Sequence, residues 1–482
     1  MSLSISCLDS RYFNDVKQLV NVCDDFAYYR NRIYVELKYF ELFTSTIIKY
    51  NPMTDFTFDD YLKIQDKEAI LRHDVKAIEY FIKELPEIKE TKKAHLIHIG
   101  LTSQDINSLG MMMCFRDSGF IILDLLKNLI TTFNTQLIEP YLPLLSDNDN
   151  DNDNDNDNDN DNDTININYN NHNNHNHKND ILMLGFTHGQ PATPTYFSKE
   201  MLIYKDRLDD IFNELEINIR LGLTVKFGGA TGDMNALKFA LPDTNWEEWC
   251  DHFITLFDLK NDDSKQDYYV KKAYFKRTKH TNQCDNYDSI LKVLYIIKRM
   301  LHIIEHLRGN LWLYVHRNYL IQENIKTEIG SSTMPHKINP IDLENSKTSI
   351  EMAKRMIDGV ADILTETSYQ RDISDSSGLR NVSSIFGYVI LTLKKMTSSI
   401  LRLTPNTKII KEELQSHPEV ILEGIQTYLK IHCGIENAYE IIKEKSRGNK
   451  LKLIDIYCFI DNLNIDSIHK TILHNLTPEN YK

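Results

Sequence analysis

The sequence predicts an all-α protein built round a bundle of long helices. Three observations carry that expectation: breakers are scarce, apolar residues recur at spacings of three and four, and the resulting stripes run for many turns. The 482 residues hold only 17 Gly and 12 Pro, about 6% against roughly 12% in average usage. So few breakers leave few tight turns, which disfavours a β-sandwich or barrel and favours long helices.

The stripes follow in chain order. The first carries Ile122, Leu126, Leu129 and Phe133. The second carries Met201, Tyr204, Leu208, Ile211 and Leu215. The third runs from about Asp288 to Val315 through Ile290, Leu294, Ile297, Leu301, Ile304 and Leu311. The fourth carries Ile350, Ala353, Ile357, Val360 and Leu364. Each is an amphipathic helix face, and some exceed the usual length of about 11–12 residues. Mixed three/four spacing packs best against near-parallel neighbours at about 20°, as in a bundle. The apolar members of these stripes read as plain core.

Two polar stretches interrupt the pattern. From Asp147 to Asp163 the chain alternates Asp and Asn, and an Asn-rich segment with His172, His175 and His177 follows. The region Ser146 to Asp180 has almost no apolar surface to bury and is expected to be a disordered insertion. Its loose His and Asp spacing offers no fixed metal geometry. Lys260 to Thr281 mixes Asp, Lys, Tyr and Ser and reads as a surface insertion.

Charge and composition narrow the function. Apolar residues make up 41% and charged residues 26%, a soluble globular balance. The formal net charge is -14, but nine of the acids lie in the Asp-Asn alternation. Nothing in the remainder favours nucleic acid or acidic lipid, so a small anionic ligand needs a local Arg or Lys cluster. Seven scattered Cys with no CxxC argue against a disulfide framework or zinc knuckle, and for a reducing, cytoplasmic setting. No basic segment leads into an apolar one at the N-terminus, and no run of about 18 apolar residues occurs, so neither a secretory signal nor a membrane span is expected.

Chemistry concentrates in Gly330-Ser331-Ser332-Thr333-Met334-Pro335-His336-Lys337-Ile338-Asn339-Pro340. Gly330, Pro335 and Pro340 prevent a continuous helix, and three hydroxyl residues favour turns. A candidate nucleophile or base, a cation and an amide donor share one loop, the composition of a catalytic lid. The segment resembles the signature of the fumarase/aspartase superfamily. Other segments resemble the adenylosuccinate lyase family within it: Arg11-Tyr12, Arg72-His73-Asp74, Thr102-Ser103-Gln104-Asp105, Thr187-His188-Gly189-Gln190-Pro191, and Gln370-Arg371-Asp372 followed by Ser376 and Arg380. Gly229-Ala230-Thr231-Gly232 with Asn235, and Thr477-Pro478-Glu479-Asn480-Tyr481, resemble the bacterial-type branch.

The resemblance implies a β-elimination that uses no cofactor and no metal. Adenylosuccinate would be split into AMP and fumarate, and succinylaminoimidazole-carboxamide ribotide would be a second substrate in purine synthesis. Removing a weakly acidic C–H proton and expelling an amine needs a base, an acid and fixed positive charge. By resemblance Ser331 is the base and His188 the general acid. Ser332, Lys337 and Asn339 would hold the succinyl carboxylates, with Thr102 and Ser103 on a carboxylate as well. His73, between Arg72 and Asp74, would contact substrate and support the acid. By resemblance Arg11, Arg371 and Arg380 match phosphate or other substrate positions, with Tyr12 and Ser376 as hydroxyl donors; a guanidinium fork is suited to the phosphate. If 376–380 is helical, Ser376 and Arg380 face the same way at i, i+4. Gln283 and Asn345 would complete the substrate shell. The family is also expected to be a homotetramer whose active sites are each built from three chains.

Together the stripes and the resemblance imply three helical domains: residues 1–108, the bundle at 109–365, and residues 366–482. The chain departs from the family in carrying Gly185-Phe186, where relatives tend to have a polar pair. Another superfamily lyase, acting on argininosuccinate or fumarate, is the alternative. Arg371, Ser376 and Arg380 argue against it, because those substrates carry no phosphate. A catalytically silent protein on this scaffold is disfavoured by the intact Ser331, Lys337 and His188. An assembly protein driven by the Asp-Asn alternation is the remaining reading.

Overall fold

The computed structural model describes residues 5–142, 180–259, 272–325, 327, 329–330, 332–448 and 450–481. The Asp-Asn alternation, the segment 260–271 and Ser331 lie outside them. Among the described residues the chain is mostly helix, with three small two-stranded sheets. No described helix is long and apolar enough to cross a membrane.

Helices form where the stripes are. The first stripe lies on Ser103–Leu137, the second on Phe197–Leu221, the third on Asp288–His316 and the fourth on Ile341–Leu364. Every residue assigned to the four stripes is buried, as the helical period requires of a core face. The fold is thus all-α, as expected.

The chain divides into two compact units. The first comprises Met1–Thr131, Arg207–Asn310 and Pro340–Ser399. Here Asp25–Thr44, Phe58–Leu71 and Asp74–Glu84 pack round Tyr29, Ile33, Phe40, Ile64, Ile78 and Ile82. Their starts are capped: Asp24 accepts from the Ala27 N–H, and Thr57 forms a capping box with Asp60, which satisfies otherwise orphaned backbone donors. Among the longer helices, Gly119 sits so close to Ile219 that a Cβ would meet its Cδ1 at 2.4 Å. Phe115 meets Phe386 of Val382–Leu401 edge-on at 5.2 Å, and Ser349 bonds Thr392 at 2.8 Å. Residues 272–281 do more than form a surface insertion. Ala273 and Phe275 are buried, and Lys276–Arg277 pairs in parallel with Thr224–Val225. The alternation of Ala273 and Phe275 with polar neighbours is a strand pattern.

The second unit comprises Thr132–Asp206, Leu311–Asn339 and Ile400–Lys482. Its core joins Leu184 to Leu414, Ile421, Ile425, Leu429, Ile456 and Ile460 from short helices near the C-terminus. The antiparallel hairpin Leu182–Thr187/Gln190–Tyr196 is thereby anchored on helices.

Candidate active site

In the first unit, two helices meet at a corner of two residues. Arg72 ends Phe58–Leu71 in the left-handed region, at φ +53, and its N–H donates to the Glu68 carbonyl at 2.7 Å. His73 then caps Asp74–Glu84, its Nδ1 accepting from the Lys76 N–H at 3.2 Å. A ring nitrogen that accepts carries no proton, so the neutral tautomer keeps its proton on Nε2. That Nε2 lies 3.5 Å from the Ser103 hydroxyl. Capping therefore orients the ring and leaves a donor facing Ser103.

Asp74 is held from behind. The fully buried Arg32 lies over the Tyr28 and Tyr29 rings at 4.1 and 4.2 Å and donates to Asp74 Oδ2 at 2.6 Å. Burial opposes charge on Asp74, but Arg32, the Val75 N–H and Arg380 together outweigh it and hold the carboxyl below the usual carboxylate range. Arg380 donates to the same oxygen at 3.2 Å. It directly follows the helix Ser374–Leu379 and keeps helical backbone angles, so the expected 376–380 helical geometry is present. Arg371 donates to the Ser376 hydroxyl at 2.9 Å and to Gln283 Oε1 at 3.2 Å.

Arg72, His73, Asp74, Ser103, Arg371, Ser376 and Arg380 line one cleft of about 290 Å³. Gln283 joins it through Arg371. Thr102 precedes Ser103, and its N–H donates to Asp105 Oδ2 at 2.8 Å. Arg11, Tyr12 and Asn345 belong to the same unit but do not line the cleft. Three further buried groups lie outside the sequence motifs. Asp375 faces Arg371, Gln104 and Tyr287; its i, i+4 spacing from Arg371 was the available signal. Buried Lys226 donates to Asp105 at 2.6 Å, and burial pushes its amine pKa down. Buried Asp285 leaves Oδ2 without a partner, and burial raises its carboxyl to about 6.

The second unit carries the other candidates. His188 and Gly189 form a two-residue hairpin loop at φ +53 and +71, the left-handed pair that a type I′ turn requires. The turn leaves His188 exposed at the tip. Gly185 marks a register shift in the hairpin, where a Cβ would meet the Thr193 carbonyl at 2.5 Å. The Phe186 ring lies 4.1 Å from the Arg317 guanidinium. The Gly185-Phe186 departure thus has a local reason: one residue fits a bulge and the other takes a cation on its face.

Gly330 lies so near the Lys337 carbonyl that a Cβ would sit 2.0 Å away. Asn339 Nδ2 donates to the Gly330 carbonyl at 2.7 Å, and Gln322 Nε2 donates to the Asn339 carbonyl at 3.2 Å. The loop folds back on itself, with Ser332 and Lys337 exposed and Asn339 half-buried. Ser331 lies outside the described residues. Among the described residues, no group of three His, Cys, Asp or Glu could hold a metal ion.

The family described as "Adenylosuccinate lyase C-terminal" matches residues 367–482, and that described as "Lyase" matches residues 171–356. The chain is 31% identical to adenylosuccinate lyase of Dictyostelium discoideum, over 99% of this chain and 96% of that one. It is 29% identical to adenylosuccinate lyase of Escherichia coli strain K12, with the same coverage. The fold is similar to that of a fumarate lyase from Mesorhizobium sp. BNC1, at TM-score 0.68 and 14% identity over 97% of this chain and 94% of that one. It is also similar to a 3-carboxy-cis,cis-muconate lactonizing enzyme from Pseudomonas putida, at TM-score 0.67 and 14% identity over 99% and 96%. The chain belongs to the adenylosuccinate lyase family of the fumarase/aspartase superfamily.

Proposed function

We propose that the chain splits adenylosuccinate into AMP and fumarate by a cofactor-free β-elimination in purine nucleotide synthesis. The observation that carries the reading is the cleft. Two arginines and a serine suited to phosphate share it with His73 and Ser103, suited to a carboxylate and a proton. Ser331 takes the C–H proton beside the succinyl carboxylate. The electrons form the fumarate double bond, the C–N bond breaks, and His188 protonates the departing nitrogen. A Ser hydroxyl is a poor base in water, so closing the loop and excluding water is what makes it competent. Lys337, Ser332, Asn339, Thr102 and Ser103 stabilise the carboxylates as negative charge builds. Arg371, Ser376 and Arg380, with Arg11 and Tyr12, hold the phosphate, while Gln283 and Asn345 complete the shell. Succinylaminoimidazole-carboxamide ribotide offers the same succinylamine and phosphate and is a second substrate in this reading.

The same proposal includes a cytoplasmic homotetramer with shared active sites and the three-domain division given above. Exposed Ile217, Leu221, Tyr295, Met352 and Ile363 on the long helices support assembly, because apolar surface gains by being covered. Turnover by the wild-type chain and by Ser331→Ala tests the function. Wild type should release fumarate from adenylosuccinate, and the variant should bind substrate but retain under about a tenth of the rate, a barrier change above ~1.4 kcal/mol. A variant that keeps more than that removes Ser331 as the base.

A further inference from the structure

Behind the arginines of the cleft lies a buried carboxylate that the elimination does not use. Asp375 is only 6% exposed. Its Oδ2 accepts from the Tyr287 hydroxyl at 2.6 Å and from Gln104 Nε2 at 2.7 Å. Its Oδ1 faces Arg371 Nη2 at 3.4 Å. Gln104 Nε2 also reaches the Ser376 hydroxyl at 3.3 Å. Three donors thus converge on one acid, and its charge is held within the wall of the cleft rather than presented to an arriving anion.

Tyr287 shows how firmly this wall is set. It adopts φ +60, a left-handed conformation that costs an aromatic residue and persists only where its surroundings enforce it. Burial, and then the neighbouring Asp375 charge, push the phenol pKa up, so the hydroxyl remains a donor. Arg371 is in turn tied to Gln283, Ser376 and Asp375, and its buried Nε has no partner. A long, flexible guanidinium stem is thereby fixed in one orientation before any ligand arrives. Fixing donors in advance lowers the ordering cost of binding.

We infer that Asp375 is a positioning residue: anchored by Tyr287 and Gln104, it sets the orientation of Arg371 and Ser376, the side chains that grip the nucleotide phosphate. The inference rests on the phosphate-binding reading given under Proposed function. It concerns residues that touch the ligand only through others, so its mark is a loss of nucleotide affinity rather than of chemistry.

The test uses Asp375→Asn and Tyr287→Phe in the full chain, singly and together. AMP affinity is measured by calorimetry, kcat and KM with adenylosuccinate, and folding by melting temperature. For Asp375→Asn the Kd for AMP and the KM should rise about tenfold while kcat falls less than about threefold. For Tyr287→Phe the same constants should rise about threefold, and the double variant should bind no worse than Asp375→Asn, because the hydroxyl acts only through the carboxylate. Losses that multiply in the double variant overturn the inference. So does AMP affinity within about twofold of wild type in a folded Asp375→Asn. If Asp375→Asn does not fold, Tyr287→Phe decides alone, and unchanged AMP affinity there overturns it. Wild type that fails to turn over adenylosuccinate overturns the proposed function instead, while the AMP arm still judges Asp375.

Discussion

Asp285 places a carboxyl where burial opposes its charge. One oxygen accepts from the Thr278 hydroxyl and the Asn286 N–H, and the other has no partner. With the folded carboxyl raised to about 6, the fold binds this proton more tightly than the unfolded chain does. The associated stability is present below the ordinary carboxylate range and is lost as pH rises through about 6. Asp285→Asn should therefore raise the melting temperature more at pH 8 than at pH 5. The gain should be on the order of 3 kcal/mol at the higher pH and about half that at the lower. Equal shifts at both pH values would contradict this. Gly330 makes a second residue-scale case. A Cβ there would press on the Lys337 carbonyl, so Gly330→Ala should lower kcat at least about tenfold. Since the loop is exposed, the melting temperature should stay close to wild type; unchanged kcat would show that the fold-back is dispensable. At this scale the motif residues were legible from short local signatures. Tyr287 was not, because what gives it a role is a carboxylate 88 residues away in sequence.

The helix stripes were legible because burial imposes its period directly on the apolar residues. All four stripes sit on helices, and the third was expected from about Asp288 to Val315 where the helix is Asp288–His316. Ile297 on that helix is fully buried, so Ile297→Ala should cost about 2–5 kcal/mol in denaturant unfolding. A cost below about 1 kcal/mol would mean that the stripe is not core. The hairpin that carries His188 was less legible. Its strands are interrupted by Gly185 and by Pro191 and Pro194, which obscure any alternation, and the bulge shifts the register part-way along. The Thr-His-Gly-Gln motif marked the residue but not the turn that presents it. Gly185→Ala should distort the bulge and lower kcat while leaving AMP affinity near wild type. Parallel loss of both would show that the hairpin does more than place His188.

The cleft belongs to one compact unit and the hairpin and loop to the other, and the shared-site tetramer proposed above is what would bring them to one substrate. Deleting Asp147 to Asn179 should leave folding and activity near wild type, because closing a loop changes by only ~0.6 kcal/mol per doubling of length. Inactivity in a folded deletion variant would show that the insertion helps to set His188. Ser331→Ala and His188→Ala chains, each inactive, can be dissociated, mixed equally and reassembled. If each site draws these residues from different subunits, about a quarter of sites should be intact. Activity should return to roughly that fraction of wild type. No recovery after confirmed subunit exchange would place both residues on one chain. The fold class was legible in the apolar period and most cleft residues in motifs that resemble the family's, whereas the wall behind them depends on neighbours brought together only by packing. The central claim is the reaction itself, and its most direct measurement is product release from adenylosuccinate and argininosuccinate at equal concentration. The account predicts one fumarate for each AMP formed from adenylosuccinate and none from argininosuccinate; fumarate from argininosuccinate alone would contradict it.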